Sequence, residues 1–379
     1  MKILYFYPEN PILVNQGNNA RALSLLNYFK DRKHRVDFVG EQSNNFGLDS
    51  ILELQNRNLI SNGFLLKDFN RKKNKIKYFF FYSLPNRIKG KIKDFDRTRF
   101  GQKNYFNQIL ENNNYDFIII SYAYWASLIK DNKNTKNAKL IIDTHDFLTS
   151  QFQSQKNFNL GKYIQKEINI LNLFDKTLVI SNEEKYVFSQ FCSNEVDIVT
   201  HSLPKNFEFK KDNKKYDLVY VASNNDHNIK SAKWFFNNVY PLLSKDIKIC
   251  VVGRIGAFCP DNDNIEKIEY IQNLDLIYSV SKVAICPMLS GTGLKIKVIE
   301  AMSFGLPIVC NERGVDGLLN KTKNGCLVTN EAKMFSLYIE KLLKDNLYYE
   351  SISLESEIYF SENHFVEAVY NDLDKVFKL

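Results

Sequence analysis

This chain lacks a cysteine framework. Its six cysteines (Cys192, Cys250, Cys259, Cys286, Cys310 and Cys326) stand singly, with no CxxC pair. Several lie in apolar runs such as "IKICVVG", where cysteine serves as a small buried hydrophobe. Neither zinc nor a disulfide scaffold is expected, and a reducing cytoplasm fits. Long hydrophobic runs are also missing. The longest, "FIIISYAYWASLI" (Phe117 to Ile129), falls short of the ~20 residues that span a bilayer and reads as a buried strand running into a helix. The opening "MKILYFYP" has one lysine, a very short apolar segment and no small-residue cleavage site, so no signal peptide is expected. No low-complexity tract interrupts the chain. Histidine is scarce, at five in 379 residues, and only His145 falls at a recognisable site position.

What remains is the composition of a soluble globular protein, 44% hydrophobic and 25% charged, long enough for two domains with separate cores. The net charge of +8 is uneven: between Arg71 and Arg99, eleven Lys/Arg face two Asp around a Phe-Phe-Phe-Tyr cluster. This segment is either a solvated basic helix and loop or a surface for anionic lipid, with basic residues for attraction and aromatics for insertion. No nucleic-acid-binding motif accompanies it, so nucleic acid is not expected as a partner.

Strands and helices alternate twice along the chain. "KILYFYP" is an apolar run of the kind buried on both sheet faces. After the loop "ENPILVNQGNN", "ARALSLLNYFKDRK" sets Ala22, Leu25, Leu26 and Phe29 on one helical face. "HRVDFVG", "YDFIIIS", "AKLIIDTH" and "KTLVIS" continue as strands, with a helix at "YIQKEINILNLF". Another helix covers "NEEKYVFSQFC", with Ser181-Asn182 at its cap and Glu183-Glu184 in its first turn. The charged stretch Pro204 to Asp217 reads as a linker. Alternation then restarts through "LVYVAS", "NIKSAKWFFNNVYPLL", "IKICVVG", "VAICPM", "LKIKVIEAMSFG" and "PIVCN", and "SENHFVEAVYNDLDKVFKL" reads as a last amphipathic helix capped by Ser361. The fold class expected is α/β: two facing Rossmann-like domains with mostly parallel sheets, over 1–206 and 215–379, the last helix (about 361–379) crossing back onto the N-terminal domain.

The stretch "SGTGLKIKVIEAMSFGLPIVCNERGVDGL" (Ser290 to Leu318) carries the chemistry. If "VAICPM" is a parallel strand, the loop Ser290 to Gly293 lies at its carboxyl end, where open α/β sheets bind ligands. Glycines let backbone N–H groups approach an anion, and the helix start adds partial positive charge. Lys295 and Lys297 would oppose the helix dipole if they served stability alone; a di-anion before them explains their placement. Glu300, a turn further on, is spaced to accept hydrogen bonds from two ribose hydroxyls. The plainer alternative is an ordinary loop with surface lysines.

These residues resemble the donor-binding signature of family 4 glycosyltransferases of the GT-B fold. Gly291, Gly293, Lys295, Lys297, Val298, Glu300, Ala301, Met302, Gly305, Pro307, Ile308 and Val309 match its Gly-x-Gly-x-Lys-x-Lys-Val-x-Glu-Ala-Met/Leu-x-x-Gly-x-Pro-Val-Val pattern. "GVDGL", "NNDHNIKSAKWFFNNVYPLL" and "LDLIYSVSKVAICPM" extend the likeness, which is strong over about the last 170 residues. It is looser before, at "KHRVDFVG" (Lys33 in place of a glycine) and "LIIDTHDF".

The resemblance implies a retaining, metal-independent hexosyltransferase acting on a nucleotide-diphosphate sugar and a glycan or lipid-linked acceptor hydroxyl, with no cofactor. It suits bacterial surface polysaccharide synthesis in the cytoplasm, peripheral to the inner face of the membrane. By that likeness Glu300 holds the ribose and backbone near Ile271 meets the base. The turn Gly291, Thr292, Gly293, Leu294, Lys295 to Lys297 holds the diphosphate, His145 contacts the donor sugar, and Gly17 with Arg21 closes over the phosphates and acceptor. Arg254 approaches the nucleotide or only pairs with a neighbouring acid. His145 also reads as a satisfied structural histidine, and Arg21 as the exposed face of the first helix.

The chain departs from the family pattern at three places. Thr292 stands where many members have a second glutamate. The first loop of the C-terminal half, "VASNNDHNIK", offers only Lys230 where many have an Arg and a Lys. The N-terminal double glycine is reduced to Gly17. A nucleotide-sugar epimerase of the same fold and a non-catalytic binding protein are the other readings.

Overall fold

The computed structural model describes residues 1–13, 17–67, 75–84, 95–135, 137–153, 155–209, 214–291 and 293–378. Thr292 and most of the basic segment, 68–74 and 85–94, lie outside them. The chain divides into two compact units, Met1–Ile198 and Val199–Leu379.

In the first unit seven strands pair in parallel: β1 (Lys2–Phe6), β2 (Arg35–Glu41), β3 (Asn62–Leu66), β4 (Phe117–Ser121), β5 (Lys139–Asp143), β6 (Lys176–Val179) and β7 (Glu195–Ile198), in the order β3-β2-β1-β4-β5-β6-β7. The all-apolar runs explain the centre of that order. Residues 3–6 of β1 and the whole of β4 are buried, as strands covered on both faces must be. Helix α1 (Gly17–Asp31) turns Ala22, Leu25, Leu26 and Phe29 into the core, as the spacing predicts, but it buries Arg21 as well. Helix α2 (Leu48–Asn56) inserts Ile51 and Leu54 and leads into β3, and α3 (Gln102–Glu111) buries Phe106, Ile109 and Leu110 ahead of β4. Helix α4 (Leu160–Leu171) is capped by Asn159, and α5 (Asn182–Phe191) by Ser181, whose side chain accepts from Glu184 N.

The second unit holds six parallel strands: β8 (Tyr216–Val221), β9 (Ile249–Val252), β10 (Ile265–Ile268), β11 (Ser281–Cys286), β12 (Ile308–Cys310) and β13 (Cys326–Val328), in the order β10-β9-β8-β11-β12-β13. Helix α6 (Asp226–Trp234), capped by Asn225, follows β8, and α7 (Ile296–Ser303) follows β11. Phe235 is fully buried and Trp234 packs against the same cluster. The Ser290–Lys295 loop is longer than the sequence suggests, because Lys295 is extended and forms the N-cap of α7.

Helices α8 (Ala332–Lys344), α9 (Asn346–Asn363) and α10 (Val366–Phe377) complete the unit. Ser361 does not cap the last helix. It lies inside α9, and Phe365 is the N-cap of α10. The break falls at His364 because that residue is tied to the start of the unit. Its Nδ1 is 3.0 Å from the His201 carbonyl, and its own carbonyl accepts from Leu203 N at 2.9 Å. Among the described residues, no helix is long and apolar enough to cross a membrane.

Candidate functional site

Each sheet reverses its strand order once, between β1 and β4 and between β8 and β11. At such a point neighbouring loops diverge and open a crevice at the carboxyl ends of the strands. The predicted site residues fall largely at these two places.

In the second unit, the loop after β8 and the loop after β11 meet. His227 Nδ1 lies 2.8 Å from Ser290 Oγ, and Leu289 N donates to Ser231 Oγ at 3.2 Å. Lys297 Nζ donates to Asn228 Oδ1 at 3.1 Å, joining the first turn of α7 to that of α6. Gly291 and Gly293 have φ of +100° and +75°, and Cβ atoms there would meet nothing closer than 3.6 Å. Backbone conformation rather than space therefore requires glycine at both. Leu294 packs on the unit's core.

The two lysines differ. Lys295 is buried and curls over the loop, donating to the Gly293 carbonyl at 2.6 Å. Burial lowers its pKa, partly opposed by nearby Asp316. Lys297 reaches across to α6, with Met288 Sδ at 3.9 Å.

Glu300 is one turn along α7. Tyr278 Oη donates to its Oε2 at 3.3 Å. Burial raises the Glu300 carboxyl above the ordinary range, opposed by the Tyr278 bond and by Lys297. Ile271 lies between β10 and the Asp275–Tyr278 turn and packs on the same core cluster as Tyr278. Arg254 stands apart from this group: it is largely exposed, with Nε 4.0 Å from Glu269 Oε1, a separation at which a solvated pair contributes little.

In the first unit, β5 ends on Asp143, which is fully buried. Arg21 Nε lies 3.0 Å from both its oxygens, and a terminal guanidinium nitrogen lies 2.6 Å from Oδ1. Burial alone would raise the Asp143 carboxyl, but Arg21 and then His145 hold it well below the usual carboxylate range. Arg21 is thus not an exposed helix residue.

His145 takes a left-handed φ of +59°, with Nε2 3.0 Å from Asp143 Oδ2 and 3.2 Å from Ser121 Oγ. Its ring stacks on Tyr122 at 4.3 Å between centroids, and Tyr7 lies beyond at 5.8 Å. Gly17 opens α1, where the next residue, Asn18, donates to Tyr122 Oη at 2.7 Å. Tyr7 Oη donates to Asn19 Oδ1 at 2.6 Å.

The structure thus gathers Gly291, Gly293, Leu294, Lys295, Lys297 and Glu300 in one unit, and Gly17, Arg21 and His145 in the other. It adds residues the sequence does not single out: Asp143, Tyr122, Tyr278, His227 and Asn228. Ser181-style caps are visible in sequence, and Asn225 three residues before Asn228 was the one available signal for the α6 pair. Among the described residues, no group of three or more His, Cys, Asp or Glu side chains is arranged to hold a metal.

Comparison with known proteins agrees with this geometry. Residues 215–345 match the family model of the group 1 glycosyl transferases. A Klebsiella pneumoniae protein described as an uncharacterized 44.6 kDa protein in the cps region is 25% identical over 307 residues, 71% of this chain and 74% of that protein. Among solved structures, sucrose-phosphate synthase from Thermosynechococcus elongatus superposes with a TM-score of 0.69 at 13% identity, covering 100% of this chain and 98% of that one. Anabaena HepE, solved in complex with UDP, gives 0.69 at 12% identity, covering 100% of each chain. The two parallel-sheet Rossmann-like units are those of the GT-B fold, and residues 215–345 are similar to the group 1 glycosyl transferases.

Proposed function

We propose that this protein transfers a sugar from a nucleotide-diphosphate donor to a hydroxyl of a glycan or lipid-linked acceptor, with retention of configuration and without a metal ion, in surface polysaccharide synthesis. The observation that carries the reading is the convergence at the β8/β11 switch point. There Ser290, Lys297 and the first turn of α6 are joined by His227–Ser290 and Lys297–Asn228 contacts, with Glu300 one turn along α7. Fixed N–H groups and two ammonium groups suit a diphosphate; a half-buried carboxylate suits a ribose.

In this reading the diphosphate leaves as charge builds on its oxygens, and the loop, Lys295 and Lys297 stabilise that charge without reorganising. Those cations take the part that a metal plays elsewhere. The departing oxygen then takes the acceptor proton on the same face, which gives retention. His145 of the N-terminal unit contacts the donor sugar. The likeness of 291–309 to the family 4 signature supports retention, and the cps-region relative supports the pathway. Six free cysteines suit a reducing cytoplasm.

The acceptor side includes an anionic membrane surface. Ile76, Phe79 and Phe80 are exposed next to Lys75, within the basic stretch. Apolar insertion beside positive charge is how an interfacial segment attaches.

A thermal-shift screen against nucleoside diphosphates and nucleotide sugars tests the transferase reading, with uridine nucleotides first because HepE was solved with UDP. Stabilisation at micromolar ligand, slow donor hydrolysis resistant to EDTA, and a product of unchanged anomeric configuration are expected. A folded protein that binds no nucleoside diphosphate would sink it.

A further inference from the structure

Asp143 has no part in the reaction proposed above, yet its carboxylate is closely held. It is fully buried, gripped by Arg21 through three contacts of 2.6 to 3.0 Å, and 3.0 Å from His145 Nε2. An ionised carboxylate only accepts hydrogen bonds. Nε2 must therefore be the nitrogen that carries the proton when the ring is neutral.

The remaining contacts lock the ring in place. His145 sits at φ +59°, a conformation rare outside glycine that persists only where its surroundings over-determine it. Tyr122, itself at φ +66°, stacks on one face and donates its backbone N–H to the Asp143 carbonyl at 2.8 Å. Ser121 Oγ, 3.2 Å from Nε2, is in turn 3.2 Å from Tyr5 Oη. The opposite nitrogen, Nδ1, makes no hydrogen bond among the described residues.

We propose that Asp143, oriented by Arg21, is a positioning residue that fixes His145 as the Nε2–H tautomer and so presents Nδ1 to the donor sugar as a hydrogen-bond acceptor. A sugar hydroxyl donates to Nδ1; an Nδ1–H imidazole would instead donate to the hydroxyl oxygen, turning the bond round and leaving the hydroxyl proton to find another partner. The substrate half of this inference rests on the transferase reading; the tautomer half does not. Asp143 touches no reacting atom. Its effect runs through the direction of one proton, as a carboxylate behind a catalytic imidazole acts elsewhere.

The test is nitrogen NMR of the full chain labelled with 15N-histidine, with the His145 signal assigned by its loss in His145→Gln. Wild type is expected to show the Nε2–H tautomer. Asp143→Asn offers both an amide donor and an acceptor, so the tautomers should mix. With the nucleotide sugar that the thermal screen selects, kcat should fall at least about tenfold while donor KM stays within about threefold.

An Nδ1–H ring in wild type overturns the proposal, even if the variant does not fold. So does an Asp143→Asn protein that keeps both the Nε2–H tautomer and wild-type turnover. Absence of any turnover in wild type, with the Nε2–H tautomer present, would instead refute the transferase reading alone.

Discussion

Lys297 of α7 and Asn228 of α6, 69 residues apart in sequence, are joined by a 3.1 Å hydrogen bond across the β8/β11 switch point. The bond aims the one lysine of the loop helix that does not fold back on its own loop. It also holds two helix starts together, so that their partial charges add at one place.

Lys297→Ala is therefore expected to lower kcat more than donor affinity, by on the order of ten- to a hundredfold, because the charge matters most as the diphosphate leaves. Lys295→Ala should have the smaller effect on turnover, since its ammonium already caps the Gly293 carbonyl at 2.6 Å. Steady-state kinetics of both single variants and the double variant decide this. Unchanged kcat in all three would place the neutralising charge elsewhere.

Glu300→Ala should weaken nucleoside diphosphate binding by on the order of ten- to a hundredfold while the protein stays folded, the equivalent of roughly 1.5–3 kcal/mol for a charged hydrogen bond. Burial raises this carboxyl, so affinity should begin to fall on acidification at a higher pH than an ordinary glutamate would give. Calorimetric titration across pH measures both effects. Wild-type affinity in the folded variant would remove Glu300 from the ribose site.

Glu184, buried in the first turn of α5, gives a stability prediction of the less common sign. Burial pushes its carboxyl from 4.5 to about 7, against the bond from Ile180 N. The folded state then holds the proton between those values and the unfolded chain does not. Its contribution is full below about 4.5 and is lost as pH rises toward 7, by up to about 3 kcal/mol. Glu184→Gln should flatten the rise of stability on acidification across that window in denaturant melts of the first unit. An unchanged slope would show the carboxyl is charged throughout.

His364 of the second unit has the opposite sign. Burial pushes it from 6.5 down to about 4, against the bond to the His201 carbonyl. The unfolded chain takes the proton first, so stability is lost as pH falls from 6.5 toward 4. Acid melts followed by fluorescence should show this loss, and it should be shallower in His364→Gln. Equal slopes would show that another group sets the acid limit.

Membrane attachment through the basic segment should weaken as salt rises, because screening shortens the reach of each charge. Vesicle co-sedimentation with anionic and neutral lipids should show salt-sensitive binding to the anionic vesicles alone. Binding should fall in Lys72→Ser/Lys73→Ser/Lys75→Ser/Lys77→Ser and, separately, in Phe79→Ser/Phe80→Ser. Indifference to lipid charge would point to a soluble acceptor.

The sheets were legible because strands buried on both faces must be apolar along their whole length, as "KILYF" and "FIIIS" are. The α7 loop was legible because glycine spacing, lysines and a glutamate all lie within eleven residues. The partners that aim those side chains were not. Arg21 and Asp143 are 122 residues apart, and nothing local distinguishes a guanidinium about to be buried from one on a solvated helix face. Tyr122 was hidden inside an apolar run that explains itself by burial. Ser361 has the look of a cap, yet α9 continues past it, because the bonds that tie His364 to the His201 carbonyl and to Leu203 N decide where the helix stops.

Those last bonds also bear on how the molecule is made. Thr200, His201 and Leu203 open the second unit and are bonded to Asn363 and His364, 163 and 161 residues later. During synthesis the first unit already has its seven described strands once Ile198 has left the ribosome. The second must wait with its opening segment unpaired until the α9–α10 corner emerges, so a stalled or shortened chain would carry a finished first unit and an unfinished second one.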